Sequence, residues 1–432
     1  MPRRLSTGAA DFAASFAALL DDKRETAEDV EQAVRDILAE VKRRGDAAVL
    51  DYTRRFDRLA VAEMAALKIS AAEIARAEAA CSVEILAALD LAARRIEAFH
   101  RQQVPTDLAS TDAAGVRLGL RWRPIDAVGL YVPGGTASYP SSVLMNALPA
   151  KVAGVERRVM VVPAPDGTLN PLVLAAAMRG GITEIYRIGG AQAVAALAYG
   201  TATIAAVDKI VGPGNAYVAA AKRQLFGTVG IHAVAGPSEI LVVADGANDP
   251  AWIAADLLSQ AEHDTAAQAI LITDDAGFAD AVVDAAERHL TVLARQAIAR
   301  ASWDRHGAVI LVKTLDEAPA LVDRLAPEHV ELAVAAPEAL AERIRHAGAL
   351  FLGRHTPEAI GDYVAGPNHV LPTARTARFS SGLSVYDFLK RTTLVSCDAA
   401  SLAEIGPAAI ALAEAEGLGA HALSVAIRLN RR

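Results

Sequence analysis

The chain has 432 residues, of which 53% are hydrophobic, a formal net charge of −8 and two cysteines. That is enough apolar material for two or three domains with sizeable cores, and Lys and Arg scattered among acids argue against a nucleic-acid partner. No run of about 18 uncharged apolar residues could span a bilayer, and Cys81 and Cys397 are too few for a disulfide scaffold, so a cytoplasmic protein is expected.

Met1-Pro2-Arg3-Arg4 before Ala9 to Leu20 faintly imitates a secretory leader. Asp11 interrupts the apolar run and no small-residue cleavage site follows, so residues 1–26 are read as an amphipathic helical arm. From Thr26 to Gln103, Val30, Ala33, Val34, Ile37, Leu38 and Val41 recur at helical spacing. Ala71 to Arg101 reads as one further long helix, with His100 solvated among charges.

At Ala127 the texture changes to short β-rich runs separated by Ala-rich helices: Val128 to Val132, Arg158 to Pro163, Glu184 to Ile188 and Val207 to Val211. The alternation resumes after Gly236-Pro237 with Glu239 to Ala244, Gln268 to Thr273, Ala308 to Lys313, His329 to Val334 and Ala349 to Leu352. Strand, helix, strand in repetition predicts an α/β protein of two Rossmann-like parallel-sheet units, with an N-terminal helical arm and a C-terminal helical segment after Ser384. The expected division is an arm at 1–26, a larger unit from 27–130 and 240–383, an inserted unit at 131–239, and a C-terminal segment at 384–432.

The usual Gly-x-Gly-x-x-Gly fingerprint is absent. Three glycine-rich turns into helices stand in its place: Tyr131-Val132-Pro133-Gly134-Gly135, Gly189-Gly190-Ala191-Gln192 and Gly212-Pro213-Gly214-Asn215. At the carboxyl ends of parallel strands, such turns offer helix N-terminal N–H groups to a nucleotide or phosphate, although tight packing also uses glycine there.

Gln260 and His263, three apart on a helical stretch, could present two ligands to a metal or mark a solvated helix end. Glu328 and His329 stand between a helix and a strand. In a regular strand neighbours point apart, so the two share a site only in an irregular turn, which Pro327 permits; a surface corner is the alternative. Gly361 to Thr373 combines turn-forming residues with Asp362 and His369 and is expected to be an ordered loop. Glu416-Gly417-Leu418-Gly419-Ala420-His421 opens the last helix, where His421 alone reads as a helix-start histidine.

Taken together and in this order, these segments, with Ala235-Gly236-Pro237-Ser238-Glu239, resemble the histidinol dehydrogenase family over nearly the whole chain. The resemblance implies one zinc ion per subunit held by Gln260, His263, Asp362 and His421, and Glu328 and His329 as the catalytic pair. It implies NAD contacts from Tyr131, Gln192 and Asn215, the inserted unit being the NAD-binding one. Substrate contacts are implied for Ser238, Gln260, His263, Glu328, His329, Asp362, His369, Glu416 and His421. The implied activity is the zinc- and NAD-dependent four-electron oxidation of L-histidinol to L-histidine through bound L-histidinaldehyde. The implied assembly is a homodimer whose C-terminal segment completes the neighbouring site, with no membrane or nucleic-acid partner. Another small alcohol as substrate, a metal-dependent hydrolase and a non-redox ligand-binding protein are the competing readings.

Overall fold

The computed structural model describes residues 1–22, 28–134, 139–234 and 236–430; Gly135, Ala235, the end of the N-terminal arm and the last two residues lie outside the described residues. The strands in chain order are β1 (Arg3–Ser6), β2 (Leu108–Thr111), β3 (Arg117–Pro124), β4 (Ala127–Tyr131), β5 (Arg157–Val161), β6 (Glu184–Tyr186) and β7 (Lys209–Val211). There follow β8 (Gly230–Ile231), β9 (Glu239–Ala244), β10 (Gln268–Thr273), β11 (Ala308–Leu311), β12 (His329–Ala333), β13 (Ala349–Leu352) and β14 (Leu389–Ser396).

Among the described residues there are three sheets, two of them wholly parallel. One has the order β1-β11-β10-β9-β12-β13 and the other β6-β5-β4-β7-β8. Every residue of β9 and β10 is buried. Ile240, Val242 and Leu271 pack with the helices Pro250–Ala261 and Ala276–Leu290, while Leu241, Val243, Ile270 and Ile272 face Phe16, Leu321 and Val322 on the other side. Helices on both faces explain why these strands read as unbroken apolar runs. Each such aliphatic side chain contributes roughly 1.5–3 kcal/mol by leaving water.

The structure departs from the sequence reading at four places. The arm holds its helix, Phe12–Leu20, but Arg3–Ser6 ahead of it is an edge strand parallel to β11. The single helix expected over Ala71 to Arg101 is two, Ala71–Ala79 and Val83–Arg101, because the Ser82 side chain accepts from the N–H of Ile85 and starts a new one. His100 is buried, not solvated: its Nδ1 donates to the Ile96 carbonyl at 2.8 Å and its Nε2 faces the Asn368 amide at 3.4 Å. A third sheet, antiparallel and ordered β14-β3-β2, crosses between the stretch after Gln103 and the C-terminal segment that was read as mostly helical.

In the five-stranded sheet the chain fills one side with β5 and β6, then returns beside β4 with β7 and β8. Open α/β sheets bind ligands at the carboxyl ends flanking such a reversal. Here those ends are Tyr131 and Gly212. Gly212 has φ +99°, and a Cβ on it would lie 2.0 Å from the Tyr131 carbonyl oxygen, so only glycine lets these two turns meet. Gly212→Ala is expected to destabilise the protein by at least about 2 kcal/mol, which a denaturant melt measures.

Candidate active site

The polar residues of the six-stranded sheet collect at the amino ends of β9 and β12, the point where its strand order reverses. Ala326 ends the helix Ala318–Leu325 in a left-handed conformation, φ +44°. This is the irregular turn that the Glu328-His329 pair requires, and both side chains come out buried. The helix Pro250–Ala261 points its C-terminus at the same place. Gln260 lies in its last turn and His263 just beyond the helix end, where the His263 N–H donates to the Gln260 carbonyl at 3.0 Å.

Asp362 reaches the cluster from the helix Glu358–Tyr363. Gly361, the first residue of the expected loop, sits instead inside this helix. Its role is close packing, since a Cβ there would lie 2.4 Å from the Phe351 ring. The segment becomes an irregular loop only from Val364 onward.

His329 is held in one tautomer. Its Nδ1 lies 2.9 Å from the Glu239 backbone carbonyl, which can only accept, so Nδ1 carries the hydrogen and Nε2 is left with a lone pair. Nε2 is buried and has no hydrogen-bond partner among the described residues. It faces Glu358 Oε1 at 3.6 Å and Asp362 Oδ1 at 3.8 Å. Glu328 lies on the other edge of the ring, its Oε2 3.6 Å from Nδ1 and accepting the Glu239 N–H at 3.0 Å.

The electrostatics follow from crowding acids in a dry place. Burial, with Glu239 next to it, raises the Glu328 carboxyl well above its usual range. Burial also pushes Glu358 up to about 8 and Asp362 up to about 6, and the two side chains are hydrogen-bonded. Burial and then the neighbouring His329, His369 and Arg295 push the His263 imidazole down to about 4, and burial lowers His329. The histidines are therefore neutral, the form that binds metals and takes up protons. Buried carboxylates in excess of cations call for positive charge from outside the chain.

The donor set suits a divalent cation. Ligand atoms of His329, Glu358 and Asp362 lie within 4.8 Å of one another, and Gln260 Oε1, also buried, has no hydrogen-bond partner among the described residues. Nitrogen and oxygen donors mixed in this way fit zinc.

His369 joins the two parallel sheets. Its Nδ1 donates to the Asp362 carbonyl at 3.0 Å, and its Nε2 lies 3.3 Å from Ser142 Oγ, at the start of the helix that follows β4. The amino end of one sheet thus meets the carboxyl end of the other. Ser238 is half-buried beside Glu239 at the entrance to β9.

The three turn residues differ in availability. Tyr131 is buried, and its hydroxyl accepts the Gly190 N–H at 3.0 Å. The Gly189 N–H goes to the carboxylate of Asp57, a buried group that burial raises to about 6. Asn215 is exposed and caps its helix, Oδ1 accepting from Tyr217 and Val218, which leaves Nδ2 free of that duty. The helix starts therefore spend donors on protein groups that the sequence reading had offered to a phosphate. Gln192 is buried, and among the described residues neither of its side-chain polar atoms has a hydrogen-bond partner.

Glu416 and His421 stand apart from this cluster. Both are exposed on the C-terminal helix pair Ala399–Ala415 and Gly419–Ala426, and among the described residues no hydrogen bond ties either side chain to Gln260, His263 or Asp362. Three buried acids near His329, Glu239, Glu331 and Glu358, and the partly exposed Asp256, which hydrogen-bonds Glu331, were assigned no role from sequence. The i, i+4 spacing of Glu358 and Asp362 was the one signal available for the most central of them.

The profile of the histidinol dehydrogenase family matches residues 20–429. The chain is 68% identical to a histidinol dehydrogenase of Rhodospirillum rubrum over the whole of this chain and 99% of that protein. It is 63% identical to that of Rhodopseudomonas palustris over the full length of both. Its fold superposes on the crystal structure of histidinol dehydrogenase from Elizabethkingia anophelis with a TM-score of 0.94 at 36% identity, over 99% of this chain and 98% of that one. With a profile match from residue 20 to 429 and full-length relatives at this identity, the chain belongs to the histidinol dehydrogenase family.

Proposed function

We propose that this protein oxidises L-histidinol to L-histidine in two NAD-linked steps, through bound L-histidinaldehyde. The observation that carries the reading is His329 Nε2: buried, unpartnered, fixed as the basic nitrogen by Glu239, and facing the acids that a cation would bridge.

Zinc would be held by Gln260, His263 and Asp362, with His421 as the fourth ligand, and when bound it orients the imidazole and amine of the substrate. NAD, when bound through Tyr131, Gln192 and Asn215, accepts the hydride of each oxidation. We also read the five-stranded sheet as the inserted NAD-binding unit, with its first boundary moved ahead of Ala127 so that β4 stays whole.

His329 Nε2 takes the alcohol proton as the carbon is oxidised. Glu328 then removes a proton from the water that adds to the aldehyde. The planar aldehyde carbon has to become tetrahedral before a second hydride can leave: as water adds, the protonated His329 returns its proton to the carbonyl oxygen, and the freed Nε2 then takes a hydroxyl proton of the hydrate. Ser238, His369 and Glu416 would complete the substrate's surroundings. Neither cysteine belongs to the cluster: Cys81 hydrogen-bonds Ala77 in a helix and Cys397 is exposed, which favours water over a covalent thiohemiacetal.

The exposure of His421, together with Leu412, Leu423 and Ile427 on the same helix pair, supports a homodimer in which each subunit lends its C-terminal segment to the other. Mixing an inactive His329→Asn chain with an inactive His421→Ala chain tests this. Exchange between the dimers is expected to restore about a quarter of wild-type activity, since half the dimers would be mixed and each would carry one whole site. No recovery after exchange would place His421 in its own subunit's site. The reading also accords with a cytoplasmic enzyme; among the described residues no helix is long and apolar enough to cross a membrane.

A further inference from the structure

We infer that Glu358 is the positioning residue that turns the Gln260 amide so that its oxygen, and not its nitrogen, faces the metal. The inference rests on the zinc reading of Gln260.

A glutamine ligand binds a cation through its amide oxygen. Its NH₂ end has the same shape and the wrong polarity, so a site built on glutamine needs something to decide which end points inward. Aspartate and glutamate have no such problem. In this structure the deciding contact is direct: Gln260 Nε2 donates to Glu358 Oε1 at 2.5 Å. The reversed amide would set its oxygen lone pairs against a carboxylate oxygen. With Nε2 committed, Oε1 is the end left over, buried and without a partner.

Glu358 is itself fixed from three sides. Its backbone N–H is held by Glu331 Oε1 at 2.5 Å, its Oε2 accepts the Ser259 hydroxyl at 3.1 Å, and its carboxyl touches Asp362. The side chain is 2% exposed, so no water competes for the contact with Gln260. Ser259 and Gln260 are consecutive in the chain, and one carboxylate clasps both. Groups behind the ligands of a metal typically set affinity in this way, and their loss costs about 10–100-fold in metal binding.

Zinc affinity is read by competition with a chelating dye on purified, metal-free full-length protein, with thermal unfolding as a check of the fold. Glu358→Gln keeps the shape but replaces the oxygen that accepts from Gln260 with an amide that can turn either end to it, and is expected to weaken zinc binding about 10-fold or more. The absorption spectrum of the cobalt-loaded variant should change as the amide loses its fixed orientation. Combining Gln260→Glu with Glu358→Gln should restore affinity, because residue 260 then presents oxygen either way and the amide at 358 can donate to it. A merely structural role for Glu358 would not be rescued by that pair.

Zinc affinity within twofold of wild type in Glu358→Gln, while Gln260→Ala weakens it, would overturn the inference and leave the metal assignment intact. Zinc affinity unchanged in Gln260→Ala would overturn the metal assignment of Gln260 and the inference with it.

Discussion

His329→Asn is expected to slow both oxidations by about 10²–10⁴-fold, the usual contribution of a placed acid–base group. Asparagine is neutral, cannot take a proton near neutral pH, and has no counterpart to the Nε2 lone pair that faces Glu358 and Asp362 at 3.6 and 3.8 Å. It leaves Gln260 and His263 in place, so metal content should stay at the wild-type level. Feeding histidinol and histidinaldehyde separately and following NADH distinguishes the steps. A loss of less than tenfold in either would remove His329 as the base for that step.

Glu328→Gln should separate the two oxidations. The carboxylate occupies the Nδ1 edge of His329, away from the Nε2 edge where the alcohol proton leaves, so the first step has no direct need of it. An amide oxygen can still accept the Glu239 N–H that Glu328 Oε2 accepts now at 3.0 Å, so the local fold should hold. Water activation needs a group that takes up a proton, and the amide cannot do so. The expected outcome is a fall of about 10²–10³-fold in aldehyde oxidation with alcohol oxidation reduced less than tenfold. Equal loss in both steps, measured with the two substrates separately, would take the water-activating role away from Glu328. The raised position of Glu328 fits this division, because a cationic substrate and a metal entering the site would draw its carboxyl down toward ionisation.

The parallel sheets were readable because their strands are covered on both faces. Glu239 to Ala244 and Gln268 to Thr273 are apolar runs bounded by turns, and both strands form over those residues. The antiparallel sheet was not readable: β14, Leu-Lys-Arg-Thr-Thr-Leu-Val-Ser, is largely exposed and carries no apolar alternation. Arg3–Ser6 likewise opens on two exposed arginines, and only pairing with β11 makes it a strand.

The same logic applies to the site. Gln260 and His263 stood out in sequence by their spacing on a helical stretch, Glu328, His329, Asp362 and His369 by reactive side chains in turn-rich segments, and the fold gathers all six. Glu358 did not, being one acid after Thr356-Pro357 in a sequence with 51 acidic residues; its importance lies in contacts with Gln260 and His329 that are 98 and 29 positions away. His100 was misread for the converse reason, since its charged sequence neighbours face water while its own ring turns inward to Asn368.

Counting the NADH formed per histidinol consumed by the zinc-loaded wild-type protein reads both oxidations at once. Two NADH per histidinol, with no aldehyde released, is the predicted result. No NADH above background would contradict it.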